Sequence, residues 1–216
     1  MRNLLKVDEP EVLSDNHESW LEEYEADAAS SSKKYKYRHP DIKQSLKEET
    51  GYKCIYCESK IGHNTPGDIE HKIPSSKRPD LHFTWTNLTI ACTECNRRKN
   101  DYYVVGDEFL DPYTEDVENQ LEHHGPLVLW KTNNTRAEIS VKILELHSIK
   151  RKELISRKIG RIEEFNNLVE RYTSEANDVL KGILGKQIEE QLDKHSEYSA
   201  MLASVLTNKG ITIGSS

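Results

Sequence analysis

The chain has 216 residues, with 30 basic and 37 acidic side chains, a formal net charge of -7 and 35% hydrophobic residues. Its mean hydropathy of -0.78 leaves room for a modest core only. No apolar run approaches the ~20 residues that span a bilayer, and the opening Met1-Arg2-Asn3-Leu4-Leu5-Lys6 lacks the apolar stretch of a secretory leader, so a cytoplasmic protein with no membrane partner is expected.

Residues 1–50 predict an N-terminal helical arm. Residues 14–28 carry an amphipathic pattern, with Ser14 as cap and Trp20, Leu21 and Tyr24 on one face. Ser30-Ser31-Ser32-Lys33-Lys34 predicts a flexible joint. Tyr35-Lys36-Tyr37-Arg38 alternates aromatic and basic residues. That pattern suits stacking on bases or gripping phosphate, and equally an arm packed on the rest of the protein. Residues 40–50 predict a short helix with Ile42 and Leu46 one turn apart, stopped by Gly51.

All four cysteines follow, as two Cys-x-x-Cys pairs, Cys54/Cys57 and Cys92/Cys95, with 34 residues between the pairs. Disulfides fit a reduced cytosol badly. Four thiols acting as small hydrophobes would not need paired spacing. Two such knuckles predict a tetrahedral four-thiolate zinc site, structural because its shell is closed to water. It would clamp residues 54–95 together and contribute folding free energy that a small core lacks. Any catalytic groups are then expected in what lies between the pairs. The window 51–100 is also the basic part of an acidic chain, with 8 basic and 5 acidic residues.

That window holds Asp68-Ile69-Glu70-His71-Lys72-Ile73-Pro74, then Trp85-Thr86-Asn87-Leu88, then Cys92-Thr93-Glu94-Cys95-Asn96-Arg97-Arg98-Lys99. Taken singly, these are ordinary surface, turn and core residues. Their order and spacing resemble the HNH endonuclease family in its zinc-stapled ββα-metal form, over about residues 50–103. The third position departs from the pattern: Asn96 stands where many members have His. The resemblance implies phosphodiester hydrolysis with His71 as general base. It implies Glu70 as carboxylate ligand of Mg²⁺ or Mn²⁺, with Asp68 as the rival. Asn96 would be a further oxygen ligand, tilting the site towards a hard cation. Asn87 would fix the loop that orients His71. Lys99, on the same helical face as Asn96, would hold a phosphate. Arg97 and Arg98 would clamp the nucleic-acid backbone. On a strand, Glu70 and His71 point to opposite faces, as do Asp68 and His71. A shared site therefore requires a bend or a bulge. His63 and His82 are expected as solvent-exposed loop residues.

Beyond residue 103, Phe109-Leu110-Asp111-Pro112-Tyr113 predicts a strand end or turn. Leu127–Trp130 and residues 137–143 predict a hairpin around Asn133-Asn134, with Ile139, Val141 and Ile143 alternating. Helices follow from about Ser148. One stripe comprises Ile155, Ile159, Ile162, Val169 and Tyr172, a second Leu180, Leu184, Ile188 and Leu192, and a third Met201, Leu202, Val205 and Leu206. These helices suit partner binding or self-packing, and residues 210–216 form a loose tail. Gly182-Ile183-Leu184-Gly185-Lys186 lacks Walker A spacing. The expected class is α+β: an arm (1–50), a zinc-stapled ββα-metal nuclease core (51–103), a turn and hairpin (104–147) and a helical region (148–216).

This layout, with a basic Ile149-Lys150-Arg151-Lys152 helix after the hairpin, is similar to the PtuB family of HNH subunits in Septu-type anti-phage systems, also found as retron effectors. That resemblance implies a PtuA-like ABC/SMC-type ATPase as partner and DNA as substrate. RNA cleavage by the same site is the alternative, as is a degenerate zinc-stapled binding module. Four thiolates and one Zn²⁺ would add -2 to the basic window. The isolated chain is therefore expected to bind DNA weakly and to depend on its partner for grip.

Overall fold

Two four-residue strands and a short helix form the centre of the molecule in the computed structural model, which describes residues 1–62 and 66–213. His63 lies outside the described residues. Strand β1 (Asp68–His71) pairs antiparallel with β2 (Leu88–Ala91), in unbroken register from Asp68↔Ala91 to His71↔Leu88. Every residue of β2 is buried. Helix α5 (Thr93–Lys99) follows at once. Cys92 is its N-cap, and the Cys92 Sγ accepts the Cys95 N–H at 3.4 Å. This ββα unit belongs to an α+β fold.

The arm wraps the unit as α1 (Glu11–Ser14), α2 (His17–Ala26), α3 (Ser31–Lys34), a 3₁₀ turn at Lys36–Arg38 and α4 (Pro40–Glu49). The helix expected over 14–28 is α2, shorter at both ends, and a separate short helix, α1, precedes it. Ser14 does not cap α2, because its hydroxyl donates back to the Glu11 carbonyl at 3.1 Å and closes α1. The expected flexible joint at 30–34 is a helical turn delivering Tyr37 into the core. Gly51 ends α4 at φ +64, where a Cβ would run into the His195 backbone. Buried Glu49 draws the arm onto β2: it takes the Lys6 ammonium at 2.9 Å and the Tyr113 hydroxyl, while Lys6 also donates to the Leu88 carbonyl at 2.7 Å. Burial pulls Lys6 down to about 8.

The second sheet corrects the expected hairpin. Leu127–Trp130 is β4, but its partner is β3 (Leu121–His124), joined through Gly125 at φ +58. Residues 137–143 lie in helix α6 (Thr135–Ile143), with Ala137, Ser140 and Val141 buried. Asn134 is not a hairpin turn residue. Its side-chain oxygen accepts the Ala137 N–H at 2.9 Å as an N-cap. Apolar residues at 139, 141 and 143 alternate by composition, yet the burial follows helical spacing.

Three helices close the fold: α7 (Lys152–Ser174), α8 (Asp178–Leu192) and α9 (Ser199–Asn208). The buried line of α7 is Leu154, Lys158, Phe165 and Val169, while Ile159 is exposed. On α8, Leu184 and Ile188 are buried and Leu180 is exposed. In the run 149–152, Ile149, Lys150 and Arg151 form the turn before α7 and only Lys152 is helical, as its first residue. The tail is tethered as far as Ile211 and Ile213, which pack on the core. One hydrophobic cluster connects Leu4, Leu46, Ile90, Val141, Phe165 and Met201.

Candidate active site

The four cysteines converge. Their Sγ atoms all lie within 4.8 Å of one another, and Cys57 and Cys92 are 3.8 Å apart. Four thiolates at ~2.3 Å from a tetrahedral ion would be separated by about 3.8 Å, so the donor set fits a metal. The first knuckle closes through the Glu58 N–H donating to the Cys54 carbonyl at 3.0 Å. Arg151 is buried beside the site. Its guanidinium lies 3.3 Å from Cys95 Sγ and donates to the Leu144 carbonyl at 3.1 Å. Burial pulls Arg151 down, and the thiolates of Cys95 and Cys57 more than offset that. The turn before α7 is therefore tied electrostatically to the four-cysteine cluster.

Helix α5 lies over the face of β1 that carries Asp68 and Glu70. One turn of helix spans two residues of strand, so Asn96 meets Asp68 (3.5 Å, amide nitrogen to carboxylate) and Lys99 meets Glu70. Glu70 and Lys99 are 4% and 2% exposed, so their ion pair is sealed from solvent. Burial raises the Glu70 carboxyl and the Lys99 ammonium opposes that rise. Lys99 also donates to the His71 carbonyl at 2.8 Å. Asp68 and Asn96 keep partial exposure.

His71 occupies the opposite face, because β1 is regular through its last residue. Its ring stacks on His82 (centroids 4.8 Å apart, planes at 11°) and meets Tyr37 edge-on at 4.7 Å. Its Nε2 lies 2.8 Å from the His82 carbonyl. Since a carbonyl only accepts, Nε2 carries the proton and Nδ1 is left with a free lone pair. Burial, then the facing His82, push His71 down to about 3, so it is neutral near pH 7. Asn87 clamps the intervening loop. It accepts the Ile73 N–H at 2.8 Å and donates to the Ile73 and Leu81 carbonyls at 3.0 and 3.1 Å.

His82 is the main departure from expectation. It is 1% exposed, not a solvent-facing loop residue. Its Nε2 donates to the Lys34 carbonyl at 2.7 Å, and its Nδ1 accepts from the Ser75 hydroxyl at 2.6 Å. Tyr24 stacks on its other face at 4.1 Å. The only signal in the sequence was its place between Leu81 and Phe83. In the sequence, Arg151 and Tyr37 likewise stand out only as members of charged or aromatic runs. Arg97 and Arg98 pair with Glu94 on their own helix, Arg98 also with Glu145.

The model of the HNH endonuclease family matches residues 54–102, the span from the first knuckle to just past α5. The chain is similar to the Septu protein PtuB of Bacillus thuringiensis, 28% identical over 182 residues that make up 78% of this chain and 69% of that protein. It is also similar to the Septu protein PtuB of Bacillus mycoides (strain KBAB4), 26% identical over 192 residues, 74% of this chain and 64% of that protein. No helix among the described residues is long and apolar enough to cross a membrane. The ββα unit with its cysteine staple is thus the part of the chain that matches the HNH endonuclease family, within a chain similar to the Septu PtuB proteins along most of its length.

Proposed function

We propose that this chain is a metal-dependent endonuclease cleaving DNA phosphodiesters in the cytoplasm, as the nuclease subunit of an anti-phage complex with a PtuA-like ABC/SMC-type ATPase. The observation that carries the reading is the geometry of His71, whose Nε2–H is tied to the His82 carbonyl so that Nδ1 is the nitrogen left to accept a proton. Nδ1 takes the proton from an attacking water. Asn87 acts through the loop it pins, keeping His71 aimed. Asp68, Glu70 and Asn96 would hold Mg²⁺ or Mn²⁺, which would neutralise charge at the phosphate; because β1 is regular and carries His71 on its other face, joint action with His71 requires the end of β1 to bend when substrate and cation bind. Lys99, sealed in its pair with Glu70, holds that carboxylate and the His71 main chain in place. Zn²⁺ in the four-thiolate site has a structural role, since its shell leaves no position for water.

The acidic body makes a partner the natural source of grip on nucleic acid. Co-purification with the ATPase, then cleavage of plasmid DNA and of total RNA with Mg²⁺ or Mn²⁺, tests this. DNA should be cut, with a loss of about 10²–10⁴-fold on His71→Ala. Cleavage that survives His71→Ala in a contaminant-controlled assay would refute the assignment.

A further inference from the structure

A cavity of about 330 Å³ opens between the 72–87 loop and the 102–115 segment, on the Lys99 side of the ββα unit. It lies apart from the cysteine site and adjoins the His71 site, sharing Asn87 and Lys99 with it. We propose that it receives one unpaired nucleobase of the cleaved strand, next to the scissile phosphate; this rests on the nuclease reading and specifies its substrate.

Shape, charge and place all point to that occupant. The cavity is lined by Tyr56, Tyr102, Tyr103 and Phe109. Phe109 stands edge-on to Tyr56 at 6.0 Å and tilted against Tyr102 at 5.3 Å, so the aromatic wall is braced. Aromatic faces bind any base by stacking. The size is at the small end of ligand cavities, enough for a base and far too small for a duplex.

The charges cancel internally. Lys72 is paired with Asp111 at 2.6 Å, Arg136 with Glu115 at 2.7 Å, and Lys99 with Glu70. A phosphate therefore meets no spare cation here, whereas a neutral planar heterocycle finds aromatic walls and hydrogen-bonding groups at their rim. Lys99 lines the cavity and donates to the His71 carbonyl, and Lys72 follows His71 in the chain. A base held here belongs to a nucleotide adjoining the reacting phosphate. The cavity then selects single-stranded, mismatched or end positions, where a base leaves its stack most easily.

The test uses the full zinc-loaded chain, titrated with thymidine, deoxyadenosine and inorganic phosphate while tyrosine ring resonances are followed by NMR. The nucleosides should shift the Tyr102 and Tyr103 signals and phosphate should not. Thr86→Trp, at the exposed mouth, should abolish binding, and Tyr103→Ala should weaken it about tenfold. In cleavage assays, an abasic site walked along a single strand should slow cutting about tenfold at one position beside the cut, and Thr86→Trp should erase that difference. Nucleoside shifts unchanged in Thr86→Trp, or displaced by phosphate, overturn the proposal. A chain that cuts DNA yet ignores nucleosides and abasic sites also overturns it. A chain that binds nucleosides but never cuts overturns only the nuclease reading, since the titration needs no turnover.

Discussion

His71 Nε2 lies 2.8 Å from the backbone carbonyl of His82, and the two rings stack 4.8 Å apart. His82 is itself fixed at both nitrogens, by the Lys34 carbonyl and the Ser75 hydroxyl, and is backed by Tyr24. The tautomer and tilt of the base are therefore set by a loop eleven residues away and by the N-terminal arm.

His82→Leu should leave the Lys34 carbonyl unpartnered and remove the stack. A stability loss of about 1–3 kcal/mol in urea melts is expected, with kcat falling more than KM rises. His82→Phe restores the stack alone and should recover part of kcat. If kcat and the melt are unchanged in both variants, the bracket has no role.

The sealed Glu70–Lys99 pair sets a second expectation. Lys99→Met leaves a carboxylate buried without its counter-ion and should cost about 3–5 kcal/mol. Glu70→Leu combined with Lys99→Met should regain most of that stability while remaining inactive. A double variant as unstable as the single one would contradict the account.

Stripping the four-thiolate site with a strong chelator should unfold the 54–102 region, because metal-binding free energy is folding free energy there. The C-terminal helices should loosen with it through Arg151. Arg151→Met should make α7 exchange its amide protons faster even with metal bound. Unaltered exchange in α7 on metal removal would show the two units to be independent.

Burial, followed by neighbouring cations including Lys158, pushes His123 down to about 3. Its neutral form is the folded form. Its contribution is thus fully present above the unfolded value of ~6.5 and is lost as pH falls towards 3, by up to about 1.4 kcal/mol per pH unit. Denaturant midpoints measured from pH 7 to 4 should fall, and His123→Asn should flatten that slope.

Asn134→Ala should cost about 1 kcal/mol through loss of the α6 cap. A thermal melt equal to the parent's would show that the cap carries no weight.

The sequence by itself determined the centre of this protein. Paired cysteine spacing points to two knuckles, and the four sulfurs do converge into one cluster able to hold a metal. The order Asp68-x-Glu70-His71, Asn87, Asn96, Lys99 is local enough that strand, loop and helix follow from it. Tertiary structure alone decided the surroundings. The strand 137–143 became α6 because a short alternating run suits either period, and the Asn134 cap with burial at Ala137, Ser140 and Val141 settled it. His82 became a buried bracket because Tyr24 and Lys34, more than forty residues away, cover it. Arg151 became the partner of Cys95 because its charge is buried beside thiolates that lie distant in sequence. Spacing records what neighbours along the chain do. Burial, and the partners that buried polar groups must find, are decided by the whole fold.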